Sequence, residues 1–393
     1  MNRHGAAVPT VKLAEILEEF DERLGKRKEP DILTLTEKLG FVAQRERFNK
    51  RLAVADTSDY KVIGVHDIAF NPYLLWAAAI AQNTSWDRAI ISPLYPTFHV
   101  RPAYDPRFVN YILHSPAIRS HYDRISFGSI PRRRRAAVGD FLDISVPKPP
   151  SLPEQRRIAS ILDTADAIRR KRQHAIALTG DLLRSTFLEM FGDPVRGFRG
   201  ARMSTFGDEL ESIQYGPRFN NQKYAKSGIR IVRITDLNAA GGLDFPSMPL
   251  LAVSEGERAR FSLVPGDLIF ARTGATVGKS AVIRPGDPEC IAGAYFIRLR
   301  FKDGVRPIYA HMVLQSSPIQ AHIARTSRQA AQQNFSGPAI KRLPLPVPAP
   351  HQQERLERIE ATIRALVGRL SQAGLEAESL FGSLSQQAFR GEL

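Results

Sequence analysis

Two passages of the chain follow one grammar: "VPKPPSLPEQRRIASILDTADAI" from Val146, and "LPVPAPHQQERLERIEATIRALV" from Leu345. In each, a proline-rich extended run breaks into Gln, Glu and Arg, and then into apolar residues three and four apart, the pattern of a long amphipathic helix. In the second passage Leu356, Ile359, Ile363, Leu366, Leu370, Ala373, Ala377, Leu380 and Leu384 keep strict 3,4 spacing, which predicts a coiled-coil seam. The first is looser: Ile158, Ile161, Ala165 and Ile168 keep the pattern, Arg172 interrupts it, and Leu182 and Phe187 resume it; Gly192 follows its end. A helix of about 40 residues extends about 60 Å, and neither seam has another partner of that length. Mutual pairing is therefore expected, antiparallel because the first helix leads into the second half of the chain and the second returns. The alternative is that each helix packs on its own domain.

The interval between the passages repeats as well. "YKVIGVHDIAFNP" (Tyr60 to Pro72) is answered by "FSLVPGDLIFARTG" (Phe261 to Gly274), with Asp67 and Asp267 just before a strand-like apolar segment. "SPLYPTFHVR" is answered by "AGAYFIRLR", an alternating strand, and "RFVNYILHSPAI" by "PIYAHMVLQSSPI", a short helix closed by Ser and Pro. "FLDISVPKP" and "IKRLPLPVP" then lead into the two long helices. Single echoes of this length arise by chance; four in the same order do not. The fold class expected is α/β (α+β): two similar globular domains separated by two long antiparallel helices forming a coiled coil, an internal pseudo-two-fold repeat. The expected boundaries are 1–150 and 194–350 for the domains, and 151–193 and 351–393 for the helices.

At 393 residues the chain exceeds one ordinary core. Its 55 Lys and Arg against 40 Asp and Glu leave a net charge of +15, a field that attracts polyanions such as nucleic acid. One cysteine, Cys290, excludes an internal disulfide and any cysteine-cluster metal site, and the histidines show no metal-ligand spacing. No signal-peptide core opens the sequence, and the longest apolar run, Tyr73 to Ala81, is too short to span a bilayer, so the expectation is a cytoplasmic protein with no membrane partner.

Several segments together resemble the specificity (S) subunit of type I restriction-modification systems. They are "PKPPSLPEQRRIASIL", "LRSTFLEMFGDP" (Leu183 to Pro194), "GDLIFARTGATVGKSAVI" (Gly266 to Ile283), "QQNFSGPAIKRLPLPVPAP" (Gln332 to Pro350) and "QQAFRGEL" (Gln386 to Leu393). The resemblance spans almost the whole chain. It implies that the two globular domains are target-recognition domains, each reading half of a split sequence in double-stranded DNA, and that the chain itself is not an enzyme. It also implies partners: methyltransferase (modification) subunits that use S-adenosylmethionine to methylate adenine, and restriction subunits carrying an ATP- and Mg-dependent motor and nuclease. No cofactor or metal is then expected on this chain. The start "PHQQERLERI" departs from the first passage's Pro-Leu-x-Glu-Gln form, and residues 1–30 match nothing in the family pattern.

A rigid spacer suits such a role, because two half-sites on one face of DNA must lie a fixed number of helical turns apart. Loops on the scaffold are the natural readers. "ARTGATVGK" offers Arg272 and Lys279 for phosphate or guanine, Thr273 and Thr276 as hydroxyl partners, and glycines for close backbone approach; its plain alternative is a Gly-rich hairpin turn. "YGPRFNNQKY" offers Arg218, Asn220, Asn221 and Gln222, and "RQAAQQNFSG" offers Gln333 and Asn334, side chains that pair with base edges. "SIPRRRRAAVG" places Arg132, Arg133, Arg134 and Arg135 for phosphate contact without sequence selectivity.

Rival readings find less support. "NPYL" at Asn71 to Leu74 resembles the box with which adenine methyltransferases hold a flipped base, but it lacks the second proline and no Gly-rich cofactor loop accompanies it. It also sits where the second half has "FARTG". "PDILTLTEK" lacks the one-residue gap of a Glu-x-Lys nuclease site, and no Walker A sequence is present. A DNA-binding scaffold or regulator with duplicated domains, unconnected to modification, remains as the alternative class.

Overall fold

The computed structural model describes residues 9–37, 39–47, 56–128, 134–194, 197–198, 201–219, 224–237, 242–327 and 334–390. The chain divides into two compact units, Met1–Lys171 with Ala373–Leu393, and Arg172–Gln372. Each unit thus holds one globular domain, the root of one long helix and the tip of the other. Among the described residues no helix is long and apolar enough to cross a membrane.

The repeat read from sequence is a repeat of topology. In the first unit one sheet runs, in spatial order, Leu17–Phe20, Thr97–Val100, Ile68–Phe70, Ile80–Gln82, all antiparallel. In the second the order is Leu210–Tyr215, Phe296–Phe301, Leu268–Ala271, Ser280–Val282, again antiparallel. Ile68 lies opposite Phe98 and Leu268 opposite Leu299, so the registers correspond. A second sheet in each unit, four-stranded in the first and three-stranded in the second, contains one parallel pair, Asp31–Thr36 with Arg88–Ile91 and Ile229–Val232 with Cys290–Ala292. The strand Lys61–Gly64 that edges the first of these shrinks in the second unit to a single bridge between Ser262 and Ile291. Cys290 is buried in its strand, and burial pushes its thiol up to about 12.

The paired aspartates have one job. Asp67 accepts from the Gly64 amide at 2.7 Å and meets His99 Nδ1 at 2.7 Å; Asp267 accepts from the Val264 amide at 3.0 Å and holds Arg300 at 2.9 Å. Each closes a tight turn and ties it to the neighbouring strand, which is why a carboxylate stands there twice.

Helices Pro106–His114 and Pro116–Arg124 cover the first sheet, and Pro307–Gln315 and Ser317–Ser327 the second. A proline at the first turn and a serine between the helices fix each junction; Ser115 caps the helix beginning at Pro116. The first core gathers Phe70, Phe98, Phe108, Tyr122 and Phe141 with Ile158, Ala159 and Leu162 of the first long helix and Ala388 of the second. The second gathers Phe206, Phe270, Tyr309 and Phe335 with Leu356 of the second long helix and Phe187 and Phe191 of the first.

The first long helix is Leu152–Phe191 and the second Pro350–Arg390. The repeated passage has a specific structural content: a buried glutamine where each helix leaves its domain. Gln155 accepts from the Asp105 amide at 2.9 Å and donates to the Pro150 carbonyl at 2.8 Å. Gln353 accepts from the Arg306 amide at 2.8 Å and donates to the carbonyls of Pro348 at 3.0 Å and Gly304 at 2.9 Å. The departure at "PHQQERLERI" therefore preserves the residue that docks the helix. The helices run antiparallel within the first unit, where Arg169 of one meets Glu378 of the other at 3.4 Å and stacks over Phe381.

The seam differs from the sequence expectation at alternate positions. Ile158, Ala165, Leu356, Ile363, Leu370, Ala377 and Leu384 are buried or half-buried. Of their expected companions Ile168 is 43% exposed, Leu366 38% and Leu380 54%, while Ala373 is half-buried. Ile161 and Ile359 are half-buried, and the inward places beside them go to Leu162 and Glu360. The inward stripe uses the next residue, with Leu162 and Glu360 buried and Arg169, Val367 and Phe381 half-buried. Leu162 enters the first core, Glu360 pairs with Arg284 at 3.0 Å, and the Phe381 ring meets Tyr111 at 6.0 Å. Leu182 is likewise exposed, whereas Phe187 is buried.

Candidate nucleic-acid interface

The candidate readers of the second unit cluster beyond the end of strand Leu268–Ala271. The chain passes through Arg272 and Thr273, makes one 3-10 turn over Gly274–Thr276, and returns through Gly278 and Lys279 to Ser280–Val282. Gly274 (φ 72°) and Gly278 (φ 93°) occupy left-handed backbone that a side chain would strain. The space at Gly278 is filled by Gln320, whose amide donates to the Gly278 carbonyl at 3.0 Å, and a Cβ there would lie 2.7 Å from its Oε1. That glycine serves the scaffold rather than close approach to DNA.

Arg272 is held at both main-chain ends: its amide donates to Tyr295 O at 2.9 Å and its carbonyl accepts from Phe335 N at 2.8 Å. Its guanidinium carbon lies 4.9 Å from the Tyr215 ring centroid, and its Nε is buried without a hydrogen-bond partner. Thr273 is bridged to Asn334, and Thr276 Oγ1 donates to Thr273 O at 3.4 Å. Arg218, Lys279 and Asn334 are exposed. The structure therefore brings Arg272, Thr273, Thr276 and Asn334 to one corner, with Arg218 three residues beyond Tyr215 and Lys279 on the returning arm. Asn220, Asn221, Gln222 and Gln333 lie outside the described residues.

The first unit builds the matching corner from other side chains. Strand Ile68–Phe70 runs on through Asn71, Pro72 and Tyr73 into a 3-10 turn at Leu75–Ala77, with Ala78 left-handed at φ 59°. Pro72 O accepts from Ala136 N at 2.9 Å, the counterpart of the Arg272–Phe335 bond. Asn71 accepts from the Tyr73 amide at 3.0 Å and reaches the Tyr95 hydroxyl at 3.4 Å, so it is engaged in the turn. Arg134, expected to contact phosphate, sits over Trp76, pairs with Asp123 at 2.8 Å and donates to Ser126 O at 2.9 Å. Arg135 is exposed and lies over the Tyr73 ring at 5.7 Å. Arg132 and Arg133 lie outside the described residues.

Sequence reasoning missed the aromatic half of both corners, Tyr73, Trp76 and Tyr215. A tyrosine next to a glycine in a polar loop, as in "YGP", is the signal that marks Tyr215.

No protein-family model and no curated protein matches the sequence. Solved structures do. The S subunit of a type I restriction-modification system from M. genitalium aligns over 99% of this chain and 98% of its own, with a TM-score of 0.60 at 11% identity. A chain from a structure of the complex assembly and conformational transition of the type I restriction-modification system aligns over 99% and 100%, with a TM-score of 0.52 at 18% identity. The present chain shares their fold from end to end.

Proposed function

We propose that this chain is the DNA sequence-recognition subunit of a type I restriction-modification complex. The observation that carries the reading is the duplicated topology, in a chain whose fold aligns over 99% of its length with a solved S subunit, with a cation-aromatic corner at the same place in each unit. Each corner reads one half of a split target in double-stranded DNA, and the net charge of +15 supplies the attraction to phosphate. The long helices fix the separation of the half-sites.

Reaction chemistry belongs to partners in this reading. Methyltransferase subunits bring S-adenosylmethionine and methylate adenines in the target; restriction subunits, where they join, bring ATP- and Mg-driven cleavage of unmodified DNA. The docking elements are the long helices, on which Ile168, Leu178 and Leu182 of the first and Leu366, Leu375 and Leu380 of the second are exposed. Purification of the tagged chain from its own cells should bring down a polypeptide that photo-crosslinks S-adenosylmethionine. Leu366→Asp with Leu380→Asp should release it while the chain stays folded. A chain that binds a defined DNA sequence alone, with no such companion, would instead be a duplicated-domain regulator.

A further inference from the structure

Several arginines of the second unit are matched to acids: Arg233 to Asp236, Arg258 to Glu289, Arg284 to Glu360, Arg300 to Asp267, and Arg306 to Glu354 and Glu357. Arg272 is half-buried, no acid faces it among the described residues, and its Nε is desolvated with no acceptor. An arginine without an acid partner leaves its outer guanidinium N–H groups as donors for a ligand. Its main chain is fixed on both sides and its guanidinium carbon sits over the Tyr215 ring, 4.9 Å from the centroid. The ring is fixed in turn: the Gly337 amide donates to the Tyr215 hydroxyl at 2.9 Å, and a Cβ on Gly337 would come within 2.9 Å of that oxygen. Gly216 locks the strand edge, where a Cβ would lie 2.1 Å from the Gly293 carbonyl oxygen.

We propose that Arg272 is a specificity-determining residue that reads a guanine in one half of the target, and that Tyr215 is its positioning residue. The proposal rests on the DNA-reading function above. A guanidinium held in one plane presents parallel donors that match the adjacent N7 and O6 acceptors of guanine in the major groove. A phosphate needs no such fixed plane, and the exposed Arg218 and Lys279 already supply unfixed cations beside the corner. Asn334, bridged to Thr273, adds an amide at the same edge.

The test is selection from a random duplex DNA pool by the full chain, with whatever subunits co-purify, followed by sequencing of the enriched pool. The wild-type protein should enrich a split motif with a guanine in one half. Arg272→Lys, which keeps a phosphate contact but not the planar guanidinium fork, should lose roughly ten- to a hundredfold of the guanine preference at that one position and leave the rest of the motif intact. Tyr215→Leu should relax the same position, and Tyr215→Phe, which keeps the ring but releases it from the Gly337 amide, should relax it less. Arg135→Ala, in the first unit, should relax the other half only. Retained guanine preference in Arg272→Lys, an even loss across all positions, or a half-site without guanine would overturn the proposal. A wild-type protein that enriches no motif would defeat the DNA-reading function itself, a result distinct from an intact motif indifferent to Arg272.

Discussion

Gln155 and Gln353 each satisfy buried main-chain groups that nothing else reaches. Gln353→Ala would orphan the Arg306 amide and the Pro348 carbonyl, at a cost of about 1–3 kcal/mol, seen as lowered opening free energy in hydrogen exchange of the second unit. His311, buried beside Ser280 Oγ at 3.0 Å, is pushed down to about 4 by burial, with the Arg284 charge acting in the same direction. Its folded value lies below its ordinary 6.5, so the unfolded chain binds the extra proton. The second unit should therefore be most stable above pH 6.5 and weaken as pH falls toward 4. Hydrogen exchange at pH 7 and pH 5 should show that loss, and His311→Gln should flatten it. At this scale the sequence revealed the residue but not its partner. Arg272 stood out as a cation in a glycine-rich turn, whereas Tyr215 reaches it from a distant strand. Arg134 looks like its neighbours in sequence, whereas in the structure Asp123, eleven residues earlier, pairs with it.

The long helices were legible as helices from proline, glutamine and 3,4 spacing alone. Their buried face was not, because neighbouring positions such as Leu366 and Val367, or Leu380 and Phe381, are both apolar, and periodicity does not choose between them. The globular domains choose: Arg284 draws Glu360 inward and Tyr111 receives Phe381. Leu162→Ala, which empties a fully buried site, should cost about 2–5 kcal/mol. Ile168→Ala should cost less than about 0.5 kcal/mol, although both residues carry the same helical pattern. Denaturant unfolding of the two variants decides which stripe faces inward.

For the whole molecule the duplication was readable because the two halves keep their elements in order, with Asp67 and Asp267 as fixed points. The division of each helix between the units was not, since sequence adjacency hides that Phe187 belongs to the second core and Ala388 to the first. If the helices set the separation of the half-sites, removing one heptad from each should shorten the gap between them by about three base pairs, from 1.5 Å of rise per helical residue against 3.4 Å per base pair. The central claim is that this chain dictates where DNA is modified. Single-molecule methylation sequencing of genomic DNA, from cells with the gene intact and deleted, tests it most directly. The account predicts one split motif, two short half-sites around a fixed gap, that carries methyladenine in the intact strain and loses it on deletion. The same methylated motifs in both strains would contradict it.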